Sequence, residues 1–381
     1  MIRRKFLQIL GGGIVVAATG ATAWAMTRDP ARARAPWATA GQLNDDPRRR
    51  ALSYAILAPN PHNRQPWLAD LSVKNQITLT CDLARRLEHT DPYDRQITIG
   101  LGAFLELLRM AAAQDGFATD ITLFPNGEPS PRLDQRPIAR IGFVGDANAK
   151  RDPLFAHVLD RRTNRNAHDL SMPLTAEPMA AMARAANSGL VDHAIEPERV
   201  AALRDLTWQA MYVEMTTFKA WKESVDLTRI GKAEIEANPD GISLSGPFLE
   251  GLSLTGLLNK AAMLDRNSTA FQQQVPFLRA PFEATAAFLW LKTPGNSRTD
   301  QINAGRDYVR INLAATAAGV AMQPLSQALQ EYREMAPQFA AIRGALGIGA
   351  SEGLQMLMRV GYAETPRASP RWRFETRILA G

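Results

Sequence analysis

At 58–67 the chain reads A-P-N-P-H-N-R-Q-P-W, and at 161–165 it reads R-R-T-N-R. In the first stretch Pro59, Pro61 and Pro66 stiffen the backbone, while Asn60, Asn63 and Gln65 offer amides that both donate and accept hydrogen bonds. That combination suits a flat heterocycle whose edge alternates carbonyls and N–H groups. The second stretch gathers Arg161, Arg162 and Arg165 with the Thr163 hydroxyl, the donor set that phosphate oxygens take. Each also has a plainer reading. The first could be a helix end running into a proline-rich loop with Trp67 opening a core strand, and the second a solvated basic face.

The elements around them must bring the two together. Ala51, Leu52, Ala55 and Ile56 fall at helical spacing and Pro59 stops that helix, leaving the proline turn at its end. Strands are expected at 68–73 and 76–81, a helix at 97–113, and strands at 119–124 and 138–143, with a seam at 146–153. A second unit opens with a helix at 154–160 and the arginine cluster. It continues with helix 176–186, strand 191–195, a long helix 200–221, strand 286–291, helix 298–318, a turn at 320–327, helix 337–346 and strand 354–362. The stretch 225–276, with its N-P-D-G and S-G-P turns, breaks this pattern and reads as an insertion, either for packing or as a lid. The fold class is α+β, with helices covering mixed sheets.

Each unit lacks the half-site that the other has. Residues 42–50 are basic but contain no Arg-Ser/Thr-x-Arg pattern. After the helix at 176–186 the chain reads Ala185-Ala186-Asn187-Ser188-Gly189, with no Pro-Trp turn. One site per chain is therefore expected, between the turn after the first helix and the cluster at Arg161.

A chain of 381 residues with 46% hydrophobic content can bury a large core. The net charge of +6 falls to +3 without Arg3, Arg4 and Lys5, too slight a bias for a nucleic-acid partner. The single cysteine, Cys81, excludes an intramolecular disulfide and reads as a buried thiol in a strand. His62, His89, His157, His168 and His193 show no metal-ligand spacing, so no metal site is expected. Neither a G-x-G-x-x-G nor a P-loop fingerprint occurs.

Together the two stretches resemble the nitroreductase-like FMN-binding family. In that family an R-R-S-x-R segment grips the flavin phosphate and pyrimidine ring, and a P-S-x-x-N-x-Q-P-W segment reaches in from the partner subunit of a dimer. Here Thr163 replaces the usual Ser and keeps the hydroxyl, while Asn60 and Pro61 replace the small residues after Pro59. The motif order over about 45–381 is similar to the double-length Acg-like subgroup, as are Asp91-Pro92-Tyr93-Asp94-Arg95 and the helix that runs from Gly100 to Leu108. The resemblance implies a nitroreductase-like fold duplicated within one chain, an internal pseudo-dimer with units at 45–150 and 151–381, and one FMN per chain, in a monomer where the units pair within the chain or in a dimer where chains pair.

The site residues follow from the same resemblance. Arg161, Arg162 and Thr163 would hold the phosphate with Arg371, and with Arg367 behind it. Arg165 would lie at the N1/O2 edge of the flavin, and Pro59, Asn60, Pro61, Asn63 and Gln65 would border the ring. Pro324, Leu325, Ser326 and Gln327 form the turn whose amides would approach flavin N5, and R-V-G-Y at 359–362 supplies a closing element. The implied reaction passes hydride or electrons from flavin N5 to a small nitroaromatic or quinone-like acceptor, with no catalytic side chain. The alternative is an FMN-sequestering protein with a lid-blocked site.

At the start, Ile2-Arg3-Arg4-Lys5-Phe6-Leu7 precedes the apolar run 9–24, with small-residue cleavage options at 21–23 and 23–25. This looks like a twin-arginine signal, with residues 1–34 as signal and linker. The partner it implies is the Tat export machinery, and the location is the periplasm. The run is shorter than the roughly 20 residues that span a bilayer, so no stable membrane span is expected in the mature form.

Overall fold

The computed structural model describes residues 27–42 and 45–379. The twin-arginine motif and its apolar run lie outside the described residues.

A short helix α1 (Ala31–Thr39) precedes the first unit. Helix α2 (Pro47–Ala55) starts where Asp46 accepts the Arg48 amide and Pro47 occupies the first helical position, and it buries Ala51, Leu52 and Ala55. Strands β1 (Trp67–Asp70), β2 (Gln76–Cys81), β3 (Phe117–Leu123) and β4 (Ala139–Gly145) form an antiparallel sheet in the order β1-β2-β4-β3, with helix α3 (Arg95–Gln114) between β2 and β3.

The second unit repeats this plan. Helix α4 (Ala176–Arg184) leads to β5 (Leu190–Ala194), and the core sheet continues with β8 (Ala287–Thr293), β9 (Ala321–Pro324) and β10 (Gly353–Gly361). These four strands are ordered β5-β8-β10-β9, again antiparallel, with helix α11 (Arg298–Ala317) between β8 and β9. In both sheets the unit's own strands run first, second, fourth, third, and the long helix connects the second to the third.

The two long helices are the seam between units. Each has 20 residues, begins with a buried Arg and carries Gly at its eighth position, Gly102 in α3 and Gly305 in α11. A Cβ on Gly102 would lie 2.0 Å from the Ile302 carbonyl oxygen, and one on Gly305 would lie 1.9 Å from that of Ile99. The helices therefore touch backbone to backbone, as only glycine permits. The leading arginines reach across in matching fashion. Arg95 donates to the Leu329 and Gln355 carbonyls at 2.6 and 2.9 Å, and Arg298 donates to those of Tyr93 and Pro131 at 2.8 and 2.7 Å. Helix α3 is long and apolar enough to cross a membrane, but it is the buried core helix of this seam.

Between β5 and β8 lie helices α5 (Pro197–Thr216), α6 (Phe218–Asp226), α7 (Gly231–Ala237), α8 (Pro247–Leu254), α9 (Lys260–Leu264) and α10 (Thr269–Glu283). Strands β6 (Thr228–Ile230) and β7 (Ile242–Leu244) pair in parallel among them, and α12 (Ala336–Ala345) precedes β10.

Several expectations are corrected. The long helix at 200–221 is two helices, because Thr217 is extended (φ −87°, ψ 103°). The helix at 154–160 is a tight 3-10 turn, Pro153–His157. The turn at 320–327 contains β9, whose Gln323 and Met322 pair with Arg359 and Val360. The insertion does not end at 276, since α10 continues through Pro276 to Glu283. Leu258, Met263 and Phe271 from this region join the core built on α5 and Trp290, so much of it is packing. The end of the expected signal and linker, 1–34, enters α1, with Ala33 and Trp37 buried.

Candidate functional site

The proline turn after α2 is a strained loop. His62, Asn63 and Gln65 all have positive φ (47°, 51° and 52°), a conformation costly for residues other than glycine. The amides expected to read a heterocycle hold this loop instead. Asn60 Oδ1 accepts the Gln65 amide at 2.7 Å, and Asn63 Nδ2 donates to the Pro370 carbonyl at 3.0 Å. Buried Gln65 donates to the Pro239 carbonyl at 2.7 Å and accepts the Trp372 amide at 2.9 Å. Pro59 is buried, and Pro61 opens the 3-10 turn beside Gly100. The side-chain amides that seemed suited to a ligand are thus engaged in shaping the turn.

The arginine cluster meets this turn directly. Arg161, 1% exposed, donates to the Leu57 carbonyl and to Asn312 Oδ1, each at 3.0 Å. Arg371 donates to the carbonyls of Ile56, Leu57 and Ala58 and to Asn63 Oδ1, so it clamps the end of α2 rather than reaching freely toward an anion. Arg367 lies apart at the surface, ion-paired to Asp29 at 2.6 Å, and does not join the cluster. Behind the cluster, buried Arg359 fixes the segment by donating to the carbonyls of Asn164 and Asn166 and to Gln323 Oε1.

What the geometry leaves unbalanced is positive charge. Burial lowers the Arg161 guanidinium to about 10, with Arg162 adding repulsion. Burial also pushes Arg371 well below its usual range, and repulsion from Arg161 and Arg162 adds to this. The buried Nε–H groups of Arg161 and Arg162 have no acceptor among the described residues. Arg165 is exposed at the surface yet closely flanked by protein, and desolvation lowers its pKa against the pull of Glu214. Thr163 is exposed beside the Tyr308 hydroxyl.

On the far wall, Pro324 ends β9, and the Leu325 amide donates to the Leu357 carbonyl while its side chain enters the core. The amides of Ser326 and Gln327 donate to no group among the described residues. They sit at the start of a 3-10 turn, where N–H groups point outward. Next to them, buried Glu214 accepts from Ser224 and Gln330, and burial raises its pKa.

Exchanging the two units maps this site onto a second location, since Asn312 and Arg109 each stand fifteenth in their helices. A cavity of about 950 Å³ lies there, lined by Arg109, Asp152, Arg184, Asn187, Arg306 and Arg310 among others. Here carboxylates offset part of the positive charge. Glu106 and Asp152 pair with Arg109, Arg306 and Arg310, while the Asp307 carboxylate accepts the amides of Asn187, Ser188 and Gly189 at 2.6 to 3.1 Å. An internal carboxylate thus caps the second turn, whereas Arg161, Arg162 and Arg371 have no ion-pair partner among the described residues.

Two histidines, half-buried His62 and buried His168, should make the fold acid-sensitive. Burial lowers His62 to about 4, with Arg165 and Arg64 adding repulsion, and burial lowers His168 to about 3, with Arg359 and Arg204 adding repulsion. Neutral His168 accepts the Ala286 amide at Nδ1, at 3.2 Å. Both folded values lie below the ordinary 6.5, so in that window the unfolded chain binds more protons. Stability should be full above about pH 6.5 and decline as the pH falls toward 4. The urea midpoint should drop between about pH 7.5 and 5, and His168→Gln should flatten that drop. A midpoint independent of pH in the unmodified protein would mean that neither ring is held neutral.

No family model matches the chain. Two Mycobacterium tuberculosis proteins are similar to it over most of its length. "Putative NAD(P)H nitroreductase Rv3131" is 27% identical over 337 residues, covering 83% of this chain and 85% of that protein. "Putative NAD(P)H nitroreductase acg" is 27% identical, covering 85% of this chain and 92% of its own length. These relatives support the nitroreductase-like family for this chain. Among solved structures, the FMN-dependent nitroreductase NfnB of Mycobacterium smegmatis is 22% identical with a TM-score of 0.33, over 55% of this chain and 91% of that one. The structure of "a putative nitroreductase" from Anabaena variabilis has 12% identity and a TM-score of 0.38, over 76% of this chain and 69% of that one.

Proposed function

We propose that the chain is an FMN-dependent oxidoreductase of nitroreductase type, with one FMN held between the turn at 57–65 and the cluster at 161–165. The observation that carries this reading is the buried excess of guanidinium charge at Arg161, Arg162 and Arg371. Its unpartnered Nε–H donors suit an anionic acceptor, and the flavin phosphate would supply one. Arg161, Arg162 and Thr163 would hold the phosphate. Arg165 would stabilise negative charge on the reduced ring, and the Ser326 and Gln327 amides would orient the ring edge. Bound FMN would supply hydride or electron transfer to a nitroaromatic or quinone-like acceptor. The protein would contribute position, charge and exclusion of water. The N-terminal motif supports export through the twin-arginine route to the periplasm.

A second reading, FMN sequestration with little turnover, is favoured by one feature. The insertion's turn sits on the site's own turn: Asp240 pairs with Arg64 and Arg85 at 2.8 and 2.9 Å, and the Gly241 amide donates to the Asn63 carbonyl. Rapid oxidation of the reduced protein by added quinone favours the reductase. Slow oxidation that accelerates in Asp240→Ala favours sequestration.

The protein should purify yellow as a monomer carrying one FMN per chain, measured by light scattering with flavin counted by absorbance. A colourless protein that fails to take up added FMN would overturn the reading. Two flavins per chain would show that the second location is not closed by Asp307.

A further inference from the structure

We propose that Trp37 and the FMN phosphate compete for the guanidiniums of Arg161 and Arg162, making α1 a latch over the phosphate end of the site. This rests on the FMN reading above. The Trp37 ring centroid lies 4.9 Å from the Arg162 guanidinium carbon, 5.4 Å from that of Arg371 and 5.6 Å from that of Arg161. With Trp37 in place, Arg161 and Arg371 are almost wholly buried, at 1% and 3% exposure. A phosphate cannot reach the Arg161 Nε–H until the indole moves.

An indole face offers these cations only a weak electrostatic partner, whereas a phosphate dianion offers charge-assisted hydrogen bonds. Phosphate should therefore displace the ring. The latch is built to lift. Helix α1 has nine residues and an internal Pro36, so it has little stability of its own. It is held by Trp37 Nε1 donating to the Ser369 carbonyl, Arg34 Nε donating to that of Ala368 and the Arg371 amide donating to that of Ala33, each at 2.8 Å. Its leading end also reaches the insertion, through the Arg28–Glu250 pair at 3.2 Å and Lys232 Nζ donating to the Thr27 carbonyl at 3.1 Å. Release of α1 thus loosens one anchor of the insertion.

The test titrates flavin-stripped full chain, as the unmodified protein, Trp37→Phe and Trp37→Ala, with FMN, riboflavin and inorganic phosphate. Trp37→Ala should bind FMN about fivefold tighter or better, because no cation–π contact must be broken. Riboflavin, which lacks the phosphate, should gain little. FMN or phosphate should red-shift the emission lost in Trp37→Phe and speed tryptic cleavage after Arg32 and Arg34. Unchanged or weaker FMN binding in Trp37→Ala, with emission and cleavage unmoved, overturns the latch. If no flavin binds any of the three proteins, the FMN reading fails by itself. The phosphate arm then decides the latch alone: a shift sustains it and no shift overturns it.

Discussion

Gly305→Val should cost at least about 3 kcal/mol of stability and abolish the cofactor site, because the new side chain lands on the Ile99 carbonyl. Neither backbone can yield without the two long helices separating, and those helices carry both sheets. The urea midpoint reads the loss. A change below about 1 kcal/mol would mean that the helix seam is loose. Gly102→Val should behave alike, since its clash is with Ile302 in the same crossing. The double variant should lose much less than the sum, because the first substitution already parts the contact that the second would break. Additive losses would indicate two independent contacts.

Arg161→Ala should weaken FMN binding about ten- to a hundredfold while the protein stays folded. Arg161→Lys should not restore it, because a point charge cannot bridge the Leu57 carbonyl and Asn312 as the planar fork does. Arg165→Ala, by contrast, should lower the flavin reduction potential more than affinity, since its exposed guanidinium adds field more than contact. Wild-type binding and potential in both variants would reduce the cluster to a structural clamp.

The sequence revealed the alternation of strands and long helices and the complementary distribution of the two motifs, because these rest on local periodicity and residue type. It did not reveal which way the amides of Asn63 and Gln65 point, since their partners at Pro239, Pro370 and Trp372 are distant in the chain. Helix α1 read as linker because its sequence has Pro36 inside and no apolar face of helical period. It is ordered by Trp37 and Arg34 bonding to 368–369, a contact no local pattern announces. Gly102 and Gly305 were visible as residues, but their equivalence emerges only once both helices are aligned by their leading arginines. The absence of a Pro-Trp turn from the second unit was legible. The Asp307 carboxylate that caps the turn at 187–189 was not, because a carboxylate within a helix looks like a solvated face.

The hydrogen bond from Asn63 to Pro370 spans 307 positions along the chain. A nascent polypeptide still on the ribosome, with 370 not yet made, has the turn and the arginine cluster but not the segment that locks them. With FMN held at this turn, as proposed, its capture should follow synthesis of that segment, and chains truncated before it should be made colourless and turned over by proteases as incompletely assembled products.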